Sequence, residues 1–136
     1  MRTTVLLAGL MLNLAGSASA APQDRDAAAN ARARMEAAQK VYQGILARQK
    51  VDPNLSGPHV WELLHRWSSR WMEAHAEAGA RKDQIAAAEA HLARMRGLEK
   101  YARGVLKQKM VAPYEVSAAE FYRLDAEKHL RAVKKK

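Results

Sequence analysis

Three tryptophans lie close together in the sequence, and two of them, Trp67 and Trp71, are four residues apart with Arg70 beside them. On a helix this spacing places both indole rings on one face, where a guanidinium and two rings could stack on a planar or sugar ligand. Aromatic side chains also supply much of the burial in a small helical domain. We therefore expect Trp67 and Trp71 to pack in the core, with Trp71 shielded from solvent. Docking of a partner helix and stacking on a ligand stay open, so Trp67, Arg70 and Trp71 are the candidate interaction residues.

Two pairs of histidine and methionine could offer a nitrogen and a sulfur to one metal ion. His91 precedes Met95 by four residues and Met72 precedes His75 by three, so each pair would share a helical face suited to copper(I). Neither pair has a third ligand at a useful spacing, and the chain contains no cysteine. We predict no metal site and no cofactor, and we interpret His91 as a helix cap or a surface group.

Catalytic patterns are missing from the sequence. Ser68, Ser69 and Ser117 lie in helix or cap contexts without the Gly-rich turn that exposes a nucleophilic serine. No pair of carboxylates with acid and base roles can be identified. The sequence therefore predicts a protein that is not an enzyme and has no catalytic residues.

The first twenty residues have the composition of a secretory signal peptide. Arg2 is followed by an apolar stretch from Val5 to Ala15, and the segment ends in the small residues Ser17, Ala18, Ser19 and Ala20. The apolar stretch is shorter than the roughly 20 residues of a membrane-spanning helix, which disfavours the alternative of an uncleaved anchor. We predict cleavage after Ala20, no transmembrane span afterwards, and location in the periplasm or cell envelope. The absence of cysteine excludes disulfides and thiolate chemistry.

The mature chain would be basic. Loss of residues 1–20 removes Arg2, so the remaining 22 Lys and Arg exceed the 14 Asp and Glu by eight. Outside the cytoplasm such a chain meets anionic lipids and acidic polymers, and salt weakens these contacts. A solvated surface is the main expectation, and an anionic envelope surface is a candidate partner. The predicted export argues against nucleic acid.

Abundant alanine and scarce glycine, proline and β-branched residues predict four helices after Ala21. The first two would form a hairpin over about 24–79 around a loop at Val51–Pro58, and the last two a hairpin over about 83–133. Asp83 is predicted to cap the third helix, and Ser117, with Glu120 three residues later, the fourth. The second helix is predicted to bury a narrow coiled-coil seam: Val60, Leu64, Trp67, Trp71, Ala74 and Ala78.

These elements define an all-α fold, an antiparallel four-helix array or bundle made of two repeated helical hairpins. It forms a single domain over 21–136 that ends in a basic tail at 134–136. The array could close as a bundle, or bury its seam against another copy.

An internal repeat relates the two hairpins. Eight residues of the first, from Ala33 to Pro53, recur sixty positions later, including a glycine and a proline that composition does not favour. Gly44 and Gly104 are a matched pair inside helical stretches, where each costs about 1 kcal/mol relative to alanine. Our hypothesis is that the first and third helices approach closely there.

The stretches Val41–Ala74 and Tyr101–Ala126 resemble the tips of the periplasmic helical hairpins of TolC-type outer-membrane efflux proteins. Each joins a helix that ends in a basic, tyrosine-containing turn to a short loop and a helix with small and acidic residues. The chain lacks barrel strands and is too short for a tunnel protomer, so the resemblance implies no pore. Segments 66–74, 90–95 and 121–127 look more like small exported helical-repeat proteins of planctomycete-type bacteria, a resemblance that implies no activity.

The sequence thus predicts a structural or protein-interaction module of the periplasm or cell envelope. Its expected partner is another protein, or a second copy, engaged through helical seams. The alternative is a periplasmic helical protein that binds a small ligand or a metal.

Overall fold

The computed structural model describes residues 22–55 and 57–136, which form four α-helices. The bounds of α1 to α4 are Pro22–Val51, Pro58–Ala78, Arg81–Lys107 and Pro113–Lys135, and a 3₁₀ turn, Pro53–Leu55, follows α1. The predicted all-α class is confirmed. The predicted signal peptide, residues 1–20, lies outside the described residues. None of the described helices is both long enough and apolar enough to cross a membrane.

The helices form an array with α2 at its centre. α1 packs on α2, α2 on α3 and α3 on α4, each pair antiparallel, and α2 also touches α4. Among the described helices α1 and α4 do not form a packed pair. The array is therefore open on the side of α1 and is not a closed four-helix bundle.

A tight turn joins α2 to α3. It contains only Gly79 and Ala80, and the Asp83 carboxylate accepts the backbone N–H of Ala80 at 2.8 Å. A Cβ on Gly79 would lie 2.4 Å from the Cβ of Asp83, so the turn requires glycine. Asp83 does cap α3, but from the third helical position, because the helix begins at Arg81.

The turn between α3 and α4 begins with a Schellman motif. The Lys109 N–H donates to the Leu106 carbonyl at 2.9 Å, and the Met110 N–H donates to the Val105 carbonyl at 3.1 Å. Lys109 has a φ of 58°, a conformation that glycine adopts more easily. This turn reverses the chain and brings α4 back along α3.

The predicted cap of α4 was wrong. The helix begins at Pro113, four residues before Ser117, and the Glu115 carboxylate accepts the backbone N–H of Ala112. Proline suits the first turn of a helix because its fixed φ is already helical and no N–H is left unpaired. These two residues start the helix early, and Ser117 lies exposed within it.

The core lies where α2, α3 and α4 meet. Its largest fully buried apolar side chains are Trp61 and Leu64 of α2 and Met95 of α3. Ala119 of α4 is also fully buried, and Tyr42 of α1 closes one side. Full burial of a large apolar side chain contributes about 1.5–3 kcal/mol. This core holds α2, α3 and α4 together, while α1 is attached mainly through α2.

The predicted seam of α2 was placed beside its true centre. Trp67 and Trp71 are only partly buried, and so are Val60 and Ala78. Because α1, α3 and α4 all touch α2, the buried face of α2 is wider than a coiled-coil seam. The buried residues of this face are Trp61, Leu64, Ser68, Met72 and Ala74. The expectation that Trp71 is the shielded tryptophan was therefore wrong, since Trp61 has that role.

The hypothesis of close helix approach at Gly44 and Gly104 was also wrong. Both glycines are exposed, and a Cβ built on either would have no heavy atom within 4 Å. α1 packs mainly on α2, so its glycine does not face α3 across a tight contact. The packing gives no reason for the helix cost of these two residues.

Candidate functional site

The residues that the sequence singled out stack on their own chain. The Arg70 guanidinium carbon lies 4.7 Å from the centroid of the Trp67 ring. Trp71 is contacted by Tyr42 of α1, with ring centroids 6.0 Å apart, and by the Arg94 guanidinium of α3 at 4.1 Å from its ring centroid. Both indoles pack against the core. Trp71 thus helps to join α1, α2 and α3, and Trp67 carries Arg70 at its surface side.

A buried polar cluster links α2 to α3, and the sequence analysis missed it. Ser68 Oγ lies 2.7 Å from His91 Nδ1, and Arg94 Nε donates to the same Oγ at 2.7 Å. Ser68 is fully buried and His91 is 3% exposed, so the interpretation of His91 as a cap or surface group was wrong. The available signal was spacing, because Ser68 lies four residues after Leu64 and four before Met72 on the buried face of α2.

This cluster keeps His91 neutral. Burial, reinforced by the positive charge of Arg94 and by His65 and His129, lowers the pKa of His91 to about 3. Burial also lowers the pKa of His65, whose ring stacks on Tyr122 at 4.3 Å between centroids. A neutral imidazole beside a serine hydroxyl has the composition of a nucleophile and its base, but Ser68 has no surface open to a substrate. The cluster is therefore a structural link between helices.

A second polar cluster fixes α4 on α3. The buried Glu99 carboxylate accepts hydrogen bonds from Arg103 and from Arg123, and Arg123 also donates to Glu127 at 2.9 Å. Burial alone would raise the pKa of Glu99, but the two hydrogen-bonded guanidinium groups outweigh it and hold the pKa below its usual range. Glu99 therefore stays ionised and orients α4.

The outer face of α4 carries an apolar stripe that no described helix covers. Tyr114, Phe121 and Leu124 lie on one side of the helix and are 76%, 64% and 48% exposed. Phe121 is the only phenylalanine in the chain. Exposed apolar residues in single positions are ordinary, whereas several in line on one helix face indicate a contact surface. We call Tyr114, Phe121 and Leu124 the α4 stripe.

A groove runs between α1 and α3 with Leu64 of α2 at its floor, and its volume is about 260 Å³. We call it the α1–α3 groove. Most of its surface is contributed by apolar atoms, although the lining residues include one amide, two cationic groups and two phenols. The lining residues are Tyr42, Leu46, Gln49, Lys50, Leu64, Arg94, Gly97, Leu98 and Tyr101.

Gln49 is the unusual member of this lining. Its side chain is 7% exposed, and its amide nitrogen has no hydrogen-bond partner among the described residues. Leaving a buried donor unpaired costs about 1–3 kcal/mol. Gln49 carries no signal of this burial in the sequence, because nothing local distinguishes it from an exposed helical glutamine.

Metal chemistry has little support in the described part of the chain. No group of three or more His, Asp or Glu residues is placed there to hold a metal ion. His91 and Met95, considered as a copper pair, both lie in the core.

No protein-family model matches this sequence, and comparisons with curated proteins and with solved structures found no match.

Proposed function

We propose that this chain is an exported, non-enzymatic interaction module that associates with a second copy of itself through the α4 stripe. The observation that carries the proposal is the exposure of Phe121 between Tyr114 and Leu124 on one helix face. Burial of apolar surface is the main favourable term in association, and aromatic residues dominate the energetics of such contacts. A face of this kind is stabilised when a matching helix covers it.

The distribution of charge favours a second copy in antiparallel orientation. Residues 113–123 of α4 carry two acidic groups and one basic group, a net charge of −1, while residues 124–135 carry four basic groups and two acidic groups, a net charge of +2. A two-fold axis near Phe121 places the basic end of one α4 beside the acidic end of the other. Such complementarity orients association and disfavours the parallel arrangement.

The register of this pairing supplies a further attraction. Tyr114 and Lys128 are each seven residues from Phe121, or about 10 Å along the helix. In the antiparallel pair, Lys128 of one copy therefore lies level with Tyr114 of the other. A cation near a phenol ring contributes about 0.5–1 kcal/mol at exposed sites.

Export is supported by residues 1–20 of the sequence, with their basic start, apolar stretch and small residues before Ala21. We place the mature chain in the periplasm or cell envelope, where its surplus of eight positive charges would attract acidic surfaces. A second function, binding of a small ligand, is favoured by the α1–α3 groove and its unpaired Gln49 amide.

The test is the mass of the purified protein in solution over a wide range of concentration. We expect a monomer–dimer equilibrium in sedimentation experiments, and we expect Phe121→Ser to shift it to monomer. Because Phe121 is 64% exposed, this substitution should leave the helical circular dichroism unchanged. Val51→Ser is the matched control, since Val51 is 86% exposed and lies outside the stripe.

Two results would overturn the interface. One is a monomer at all concentrations up to several hundred micromolar. The other is a dimer that Phe121→Ser weakens no more than Val51→Ser does. A dimer whose association constant falls with added salt in the wild type, and less steeply after Lys128→Gln, would support the antiparallel pairing.

A further inference from the structure

We propose that the α1–α3 groove binds a small apolar molecule that ends in a single carboxylate, such as a medium-chain acyl or aryl-alkyl acid. The groove is separate from the α4 stripe, since none of its lining residues belongs to α4. The inference therefore stands or falls independently of self-association.

The apolar part of the ligand is indicated by the walls. Leu46, Leu64 and Leu98 come from three different helices, and Gly97 adds no side chain at its own position in the α3 wall of the groove. An apolar cavity of about 150 Å³ can hold benzene. A groove of about 260 Å³ therefore has room for a ring with a short chain, or for an acyl chain of about eight carbons.

The polar end of the ligand is indicated by Gln49. Gln49 lies two residues before the end of α1, yet its side chain is buried and its amide nitrogen lacks a hydrogen-bond partner among the described residues. Native structures rarely leave such a donor unpaired, because it loses water without gaining a protein acceptor. Gln49 lines the groove, and a rotation of its side chain would turn the buried amide nitrogen towards a ligand oxygen there, which would supply the missing acceptor.

The charge of the ligand is indicated by Lys50 and Arg94. Both line the groove, and no carboxylate is among the lining residues. Lys50 makes no ion pair with another described residue. Arg94 uses Nε and one terminal nitrogen on Ser68, which leaves further N–H groups of its guanidinium for another acceptor. One anionic group is therefore matched, and a cationic or neutral end group is not.

The experiment measures ligand binding by calorimetry and by thermal melting, using protein purified after expression of the full-length sequence. The probes are octanoate and 4-phenylbutanoate, with octanol and octylammonium as controls that keep the chain and change the end group. We expect both acids to raise the melting temperature, and octanoate to bind at least about tenfold more tightly than octanol. The better of the two acids identifies whether the groove prefers a chain or a ring.

Two variants locate the site. Gln49→Leu removes the unpaired donor, so we expect the ligand-free protein to melt at a higher temperature and its affinity for octanoate to fall about tenfold. Lys50→Gln should weaken octanoate several-fold, whereas Lys107→Gln, which removes the same charge outside the groove, should not. If Gln49→Leu fails to fold, the octanoate affinities of Lys50→Gln and Lys107→Gln still test whether the ligand binds in the groove.

The proposal is overturned if neither acid binds, or if octanol or octylammonium binds as tightly as octanoate. Equal losses in Lys50→Gln and Lys107→Gln would also overturn it, because they would show a general attraction of anions to a basic protein.

Discussion

His91 should make the stability of this protein strongly dependent on pH, and the variant His91→Gln isolates the effect. The imidazole lies 3% exposed between Ser68 and the core, with Arg94 nearby. Glutamine has a hydrogen-bonding group at a similar reach but does not titrate. The substitution therefore keeps a polar partner for Ser68 and removes the proton equilibrium.

The size of the effect follows from the two pKa values of His91. The pKa is about 6.5 in an unfolded chain, and burial lowers it to about 3 in the fold. As the pH falls below 6.5, His91 binds a proton in the unfolded chain but stays neutral in the folded chain. The stability is thus fully present above pH 6.5 and falls by about 1.4 kcal/mol per pH unit as the pH approaches 3. Between pH 6.5 and 4.5 the loss is about 2–3 kcal/mol.

Other groups do not obscure this window. Hydrogen bonds to arginine hold the pKa of Glu99 and of Glu127 below the usual range, so near the lower end of this window the unfolded chain takes up protons at these groups before the fold does. Both glutamates are present in the wild type and in His91→Gln, so this contribution cancels in the difference. Burial lowers the pKa of His65 as well, but His65 is present in both proteins. Its contribution therefore cancels in the difference between the wild type and His91→Gln.

The assay is urea unfolding followed by circular dichroism at a fixed protein concentration between pH 4.5 and 8. Below pH 6.5 we expect the free energy of unfolding of the wild type to fall more steeply with decreasing pH than that of His91→Gln. The difference in slope should approach one proton, or about 1.4 kcal/mol per pH unit. At pH 7.5 the variant should be the less stable protein, and at pH 4.5 the difference should shrink or reverse. Parallel stability curves for the two proteins would show that His91 titrates normally in the fold and would refute the argument.

Two further predictions concern the packing of the helices. Gly44→Ala and Gly104→Ala should each raise the free energy of unfolding by about 1 kcal/mol, because both glycines are exposed with open space around them; a destabilised double variant in urea unfolding would show a hidden contact. Trp61→Ala should cost about 3–5 kcal/mol because Trp61 is fully buried, and Trp71→Ala should cost less because Trp71 is only partly buried. Equal losses from the two tryptophan variants in the same assay would contradict this order.

The sequence by itself determined the number of helices and where most of them break. Alanine-rich segments with few β-branched residues favour helix through local backbone energetics, and the break at Gly79 needed no knowledge of the fold. The start of α4 was local too, but two signals competed. Pro113 and Glu115 stabilise the first turn of α4, so the helix begins at Pro113 and its start lies about one turn before the predicted cap at Ser117.

Tertiary structure alone decided which side of each helix is buried. The periodic pattern of α2 permitted a seam through Trp67 and Trp71, but three neighbouring helices cover a wider face centred on Trp61 and Ser68. The same packing buried His91 and exposed Gly44, which sequence reasoning had assigned to the opposite environments.

The two candidate sites also depend on long-range packing. Gln49 lies in the α1–α3 groove because α2 holds α1 beside α3, and Phe121 is exposed because α4 turns its other side to α3. Helix formation depends on neighbours within a few residues, whereas burial depends on contacts between segments far apart in the chain. For that reason the sequence predicted the elements, and only the assembled helices showed which side chains are left to meet a partner or a ligand.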